Sequence, residues 1–536
     1  MLHINRIKKT KIKLGILAIV IIVVAIGFGF TGQFENEGEK YPTSTDDLKV
    51  AKASEIIELK DGDTLNLSVD IIKKEIAGQT VKMFGYNGQI PGPLLKIAQN
   101  STISVNVLNN LDVETTVHWH GLRLDNQFDG APGLTMATQK PGESFRYELR
   151  FTDEGIYWYH PHVREDYQQE MGLYGNLLVY PVQEDYYNKV NREIPIILDD
   201  ILIEEDGLYP FYKDYANHGL GGRFGNIMLI NGNDNYTLEV KTGEVVRFYI
   251  TNVANTRVFN FSIPNTKIKL IGSDIGSYAK EEFVESVVIA SAERYTVEVI
   301  FENPGDYQLK NITPEKEYTL GNIQVSGTSV TANNDYSGDF YSLRINKYVT
   351  ADINNFKQYF DKEIDLNIKL SFEVNSRFLS LFAKGDKDAT DNDWKHVIAG
   401  DTDRIEWEDS EPRFNKQAKT SDLSWILKDT ATGKKNTDID LNYKVGDKVK
   451  IRFFNDPNIS DPSQHPIHFH GQRFLVLEKD GVKLENLVWK DTVLVPIDSY
   501  VDILLDITNP GKWMAHCHIA EHLISGMKMT FKVSEN

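Results

Sequence analysis

His516-Cys517-His518-Ile519-Ala520-Glu521-His522-Leu523-Ile524-Ser525-Gly526-Met527 is the stretch from which the rest of the chain is read. Cys517 is the only cysteine in 536 residues. A lone thiol between two histidines has no partner for a disulfide and too few for a tetrahedral zinc site. The spacing Cys-x4-His-x4-Met puts a thiolate, an imidazole and a thioether in one loop. One more histidine completes the trigonal His2Cys set, with a weak axial Met, of a blue-copper electron-transfer centre. On a strand, His516 and His518 turn to one face and Cys517 to the other. A metal on Cys517 is then a few covalent bonds from metals held by its two neighbours.

A buried free cysteine among surface histidines is the plainer alternative, and the histidine distribution argues against it. Of 13 histidines, ten fall in four clusters: His118/His120, His160/His162, His465/His468/His470 and His516/His518/His522. Only His3, His218 and His396 lie elsewhere.

The length fits about three domains of ~150 residues. Apolar residues make up 41% and charged residues 25%, as in an ordinary globular protein. A net charge of −19 disfavours nucleic acid as a partner. The N-terminus is different in character. Residues 1–13 are basic, with Arg6, Lys8, Lys9, Lys11 and Lys13. Residues 14–30 are uncharged and apolar, and Glu35, Glu37 and Glu39 follow. Positive-inside orientation predicts a basic cytoplasmic start, a transmembrane anchor over 14–30 and an extracytoplasmic remainder. Secretion after signal cleavage is the alternative, although no clear A-x-A site is present. Residues 31–50 read as a flexible tether.

Beyond residue 50 the chain reads as all-β, with short alternating runs broken by Gly, Pro, Asn and Asp. Two elements recur three times. The first includes Ser101–Val105, Gly243–Arg247 and Gly446–Lys450, running on to Asn109, Asn252 and Asn455. The second runs from Glu143 to Gly155, Glu293 to Gly305 and Ser499 to Gly511, the same interval each time. Three tandem copies of one β-sandwich are therefore expected, over 51–183, 190–330 and 345–536. Aligned on that glycine, His160 and His162 match His516 and His518, whereas the middle copy has Lys310 and Ile312. Pro161 stands where Cys517 stands. His118-Trp119-His120-Gly121 likewise answers His468-Phe469-His470-Gly471, with Phe259-Asn260-Phe261 between. The middle copy reads as a spacer, and docking the first copy on the third makes eight histidines converge.

Eight imidazoles suit three metals with two, three and three ligands. Zinc is the runner-up metal, but it carries no electrons and has no use for Cys517 between two ligand arms. Three metals and a one-electron relay store four electrons, the number that O2 needs.

The four motifs resemble those of multicopper oxidases: His-Trp-His-Gly, His-Pro-His, His-Pro-Ile-His-Phe-His-Gly and His-Cys-His-x3-His-x4-Met. The resemblance covers about residues 50–536 and is greatest to bacterial three-domain laccase-like and copper-efflux-type oxidases. It implies three cupredoxin domains and four copper ions, with O2 and a small reducing substrate as partners. By resemblance, His465, Cys517, His522 and Met527 hold the type 1 copper, and His118 and His468 the type 2 copper. His120, His160 and His518 hold one type 3 copper, and His162, His470 and His516 the other. His465 or His522 is expected to offer an exposed edge for electron entry.

Other positions are also implied by the resemblance. Asp129 sits where relatives keep a proton-relaying acid, and Asp461 where copper-efflux members bind substrate copper. The run Trp489-Lys490-Asp491-Thr492 is similar to a segment near the type 1 site, a strand-end cap being the alternative for Asp491. Two departures stand out. Leu523 replaces an acid that assists proton delivery, with Glu521 on the other side of His522. Ser463 replaces a methionine of the copper-efflux type. Phenols and aromatic amines are the expected donors; Cu(I), Fe(II) or Mn(II) is the alternative, and a copper carrier or scaffold the remote one. The acidic runs Asp401-Thr402-Asp403 and Glu406-Trp407-Glu408-Asp409 are read as solvated loops that could attract cations. A membrane-tethered monomer is expected.

Overall fold

The computed structural model describes residues 43–205, 207–211, 215–374, 404–408, 423–457 and 463–535. The apolar stretch 14–30, Asp461, Asp401, Asp403 and Asp409 lie outside them. Among the described residues no helix is long and apolar enough to cross a membrane.

The recurring elements reappear as matching strands. Thr102–Asn109, Glu244–Asn252 and Lys448–Asn455 are the first. Each pairs antiparallel with the second, Ser144–Arg150, Arg294–Phe301 and Ser499–Asp506. In the outer copies alternation buries every other side chain, Ile103, Val105 and Val107 in one and Val449, Ile451 and Phe453 in the other. The middle strand Glu244–Asn252 is buried on both faces. Val245 packs on Ile300 and Phe340, and Tyr249 on Leu94, Ile156 and Leu178 of the first copy. Each first strand ends at a fully buried Asn whose amide ties down two backbone carbonyls. Asn109 donates to Val113 and Gln139, Asn252 to Arg257 and Ile289, and Asn455 to Ser463 and Val495.

Each copy is a pair of sheets, of four and five strands, then six and five, then seven and five. In the second and third copies one apolar cluster draws on both sheets, the arrangement of a β-sandwich. The strands that carry or align with ligands are Gly155–His160, Gly305–Ile312 and Gly511–Cys517. Their first glycines share φ values of 147°, 143° and 132°, a region that side chains rarely adopt. Two of them also lie against a neighbouring copy. A Cβ on Gly155 would sit 2.8 Å from the Asp274 carbonyl, and one on Gly511 2.5 Å from the Asn126 side chain.

The outer copies meet directly. Asn126 Nδ2 donates to Lys512 O at 2.8 Å, Asn509 Nδ2 to Leu124 O at 2.5 Å, and Arg123 Nη1 to Thr508 Oγ1 at 2.8 Å.

Candidate metal centre

The strands His465–Phe469 and Gly511–Cys517 pair antiparallel, with Ile467 opposite Cys517 and His468 opposite His516. Cys517 ends its strand, and the short helix Ala520–Ile524 then brings His522 back over it. Cys517 Sγ lies 3.6 Å from His465 Nδ1 and 3.7 Å from His522 Nδ1, and the two nitrogens are 3.3 Å apart. His522 Nε2–H donates to Leu220 O at 2.9 Å, which leaves a lone pair on Nδ1. Met527 is fully buried in the same apolar cluster as Cys517. Burial pushes the thiol well up and the imidazoles down, His522 to about 3. All three groups are neutral in the metal-free pocket, so a soft cation binds by displacing the thiol proton. Thiolate, two imidazoles and a thioether are a copper donor set.

The other eight histidines form one buried cluster. His118 faces His160 across the strands His118–His120 and Gly155–His160. Rings from the first copy lie on rings from the third. His118 stacks on His470 at 4.1 Å between centroids, and His120 on His468 at 3.7 Å. Three donor nitrogens come within 4.8 Å of one another in His162/His470/His516, in His118/His468/His470 and in His118/His120/His160. His120, His160 and His518 have centroids 5.0–5.7 Å apart.

Hydrogen bonds on the far side of each ring decide which nitrogen faces inward. Nδ1–H donates to Asp129 O from His118 at 2.6 Å, to Pro161 O from His160 at 2.9 Å and to Glu165 Oε1 from His162 at 2.9 Å. It donates to Asp491 O from His468 at 2.9 Å, to Asp129 Oδ2 from His470 at 2.9 Å and to Cys517 O from His516 at 2.8 Å. His120 is reversed: Nε2–H goes to Asp491 Oδ1 at 3.0 Å. The inward nitrogens are therefore lone-pair donors. Those of His118, His120, His160, His162 and His468 have no hydrogen-bond partner although buried, and neither has either nitrogen of His518. Uncompensated buried acceptors are costly and rare. Converging in threes, they fit metal ions. Burial, reinforced by neighbouring imidazoles, keeps His120, His160, His470, His516 and His518 well below the usual imidazole pKa, hence neutral and ligating.

Asp129 lies inside this shell, 1% exposed. Burial alone would raise its carboxyl, but His470 and His118 beside it draw it far below the ordinary carboxylate range. Three expectations need correction. Asp491 lies against His120 and His468 of the eight-histidine cluster, and among the described residues no contact ties it to the Cys517 group. Neither His465 nor His522 shows an edge, since both are 0% exposed. Leu220 covers one, and Trp425 packs on both, at 4.1 Å from the His522 ring and 5.0 Å from His465. The stretch Glu406–Glu408 is not a free acidic loop. Trp407 is buried against Val258, Ala290 and Leu494, and Glu408 pairs with Arg257.

Glu521 accepts from Asn255 and Thr256, and burial with Asp166 nearby pushes its carboxyl up to about 8. Leu523 packs on Ala131 and Met514. Ser463 is buried, its hydroxyl 3.4 Å from Glu406. Sequence reasoning missed Glu165, the Leu220 carbonyl and Arg294, whose guanidinium pairs with Asp491. The spacing His162-x2-Glu165 was the one local signal available.

Three family models, each described as "Multicopper oxidase", match residues 68–184, 158–338 and 404–536. The chain is similar to "Multicopper oxidase mco" of Staphylococcus aureus, 25% identical over 85% of both chains. It is equally similar, at 25% identity, to "Laccase-5" of Arabidopsis thaliana, over 83% of this chain and 88% of that one. A solved multicopper oxidase from Campylobacter jejuni, titled a metallo-oxidase, superposes with a TM-score of 0.66 at 21% identity. The match covers 92% of this chain and 99% of that one. The same family description thus spans both histidine-bearing ends and the copy between them, and the chain belongs to the multicopper oxidase family.

Proposed function

We propose that this oxidase takes electrons singly from small reducing substrates at His465, Cys517, His522 and Met527. It delivers them to O2 among His118 with His468, His120 with His160 and His518, and His162 with His470 and His516. These are the type 1, type 2 and two type 3 ligand sets in turn. Copper bound there supplies one-electron acceptance from the donor and four-electron reduction of O2 to water. The protein supplies the path. Cys517 is covalently flanked by His516 and His518, and the His516 Nδ1–H bond to the Cys517 carbonyl closes a second route between the two ligand sets. That single relationship carries the reading. Cys517→Ser tests it: the blue absorption and substrate turnover should both vanish while copper at the eight histidines remains. Persistence of either refutes the assignment.

Asp129 orients His118 and His470 and hands on the protons that water formation consumes. Its carboxylate oxygen 2.9 Å from His470 Nδ1, at the edge of the ligand shell, supports this reading. Phenols and aromatic amines are the leading donors; the relative titled a laccase supports this reading. The metal-ion alternative draws on the neighbour titled a metallo-oxidase and on a "Copper resistance protein A" of Pseudomonas syringae, 27% identical over 46% of this chain. Rates with Cu(I), Fe(II), Mn(II) and a phenol discriminate between them. If Asp461 docks metal ions, Asp461→Ala slows them more than the phenol; equal slowing removes it from that role.

The domain limits 51–183, 190–330 and 345–536, a monomeric state and an extracytoplasmic location tethered by 14–30 complete the proposal. The basic start followed by an apolar run supports the location. Fractionation of the native protein tests it: recovery in the cytosol would overturn it.

A further inference from the structure

The copy without histidine ligands still reaches the histidine cluster. Arg294 opens the middle strand Arg294–Phe301 and is fully buried. Its guanidinium touches all three copies. Nε donates to Ile156 O of the first at 2.9 Å and Nη1 to Ala292 O of its own at 3.2 Å. Nη1 and Nη2 grip Asp491 of the third, at 2.6 Å to Oδ1 and 2.5 Å to Oδ2. Asp274 steadies the pair from behind. Its carboxylate accepts the Arg294 N–H at 2.9 Å and the Asp491 and Thr492 N–H groups at 3.3 Å.

Asp491 passes this order on. Oδ1 accepts His120 Nε2–H at 3.0 Å, and its carbonyl accepts His468 Nδ1–H at 2.9 Å. His120 is the one histidine of the cluster bonded outward through Nε2, so Nδ1 is its inward donor, buried and without a partner. That orientation needs an oxygen that accepts. A carboxylate free to turn about its own bond could swing that oxygen away from His120. The bidentate fork fixes the carboxylate plane and so holds Oδ1 towards His120. Space is shaped to match, because a Cβ on Gly121 would lie 2.4 Å from Asp491 Oδ2 and 2.9 Å from Arg294 Nη2.

We propose that Arg294 is a positioning residue for the oxygen-reducing centre: it holds Asp491 as a fixed acceptor, so that His120 presents Nδ1 and His468 presents Nε2. The middle copy is thereby part of the machinery. The inference rests on His120 and His468 being ligands.

The test uses copper-loaded full-length protein, with copper per chain, the blue absorption and the type 2 electron paramagnetic resonance signal as readouts. Arg294→Met should keep the blue absorption per chain, lose more than half of the copper and alter the type 2 signal, with turnover down by about 10–100-fold. Arg294→Lys, which keeps the charge and loses the fork, should fall between. Arg294→Met with Asp491→Asn should regain copper relative to Arg294→Met alone, because the amide oxygen still accepts from His120 without a bare charge. Should Arg294→Met fail to fold, the double variant decides: it must load the histidine cluster to at least the level of Arg294→Lys. Full copper and an unchanged type 2 signal in Arg294→Met, even with a lowered melting temperature, would overturn the proposal. So would a double variant that falls short of its benchmark. His120→Ala separates the layers: copper loss there but not in Arg294→Met refutes the positioning role alone, and no loss in either refutes the ligand assignment beneath it.

Discussion

His470 Nε2 lies 3.1 Å from His516 Nε2, and neither atom carries a proton, because both rings spend theirs on the opposite side. Two lone pairs facing each other in a buried site repel. A cation between them converts that repulsion into attraction. Stripping copper with a chelator should therefore destabilise the fold. At metal a thousandfold above its dissociation constant, mass action alone stabilises by about 4 kcal/mol. Calorimetry of holo and stripped protein should show melting temperatures apart by about 4 °C for each site so filled. Equal melting curves would contradict the site.

The metal-free protein should also be acid-sensitive, and the sign follows from its buried imidazoles. Burial lowers His120, His160, His465, His468, His470, His516, His518 and His522 below 6.5, His522 to about 3. Below pH ~6.5 the unfolded chain binds protons there that the folded chain does not. Their contribution to stability is complete above that pH and declines as pH falls towards 3, by up to about 1.4 kcal/mol per group per pH unit. Melting temperature against pH for stripped protein should drop steeply from pH 7 to 5. A flat profile would mean that the rings are not held neutral.

Asp129→Asn keeps one oxygen to accept from His470 Nδ1–H and loses the charge and the proton-carrying capacity. If Asp129 passes protons on, turnover should fall about 10–100-fold with the blue absorption unchanged. Substrate-driven reduction of the blue site should keep its rate while reoxidation by O2 slows. Slowing of both steps alike would assign Asp129 to structure only.

Much of this was legible because strand alternation and tandem repetition are short-range codes. His516-Cys517-His518 needs only a strand to send one side chain each way, and the Asn109, Asn252 and Asn455 copies announce the shared scaffold. The reversed orientation of His120 was not legible. It depends on Asp491, 371 residues away, and on Arg294, 197 residues from Asp491. No spacing rule links such positions, since separate sandwiches bring them together. Leu220 over His522 is hidden for the same reason, being a backbone carbonyl that any residue could supply. The Gly121 of His-Trp-His-Gly, by contrast, had its cause in that distant pair all along.

The stacking of His118 on His470 and of His120 on His468 also sets a timetable for biogenesis. A nascent chain that has emerged only through its first two sandwiches owns four of the eight imidazoles and lacks the four from the third. Loading of the oxygen-reducing centre is consequently an event that follows synthesis, and whatever delivers the ions must meet a finished polypeptide.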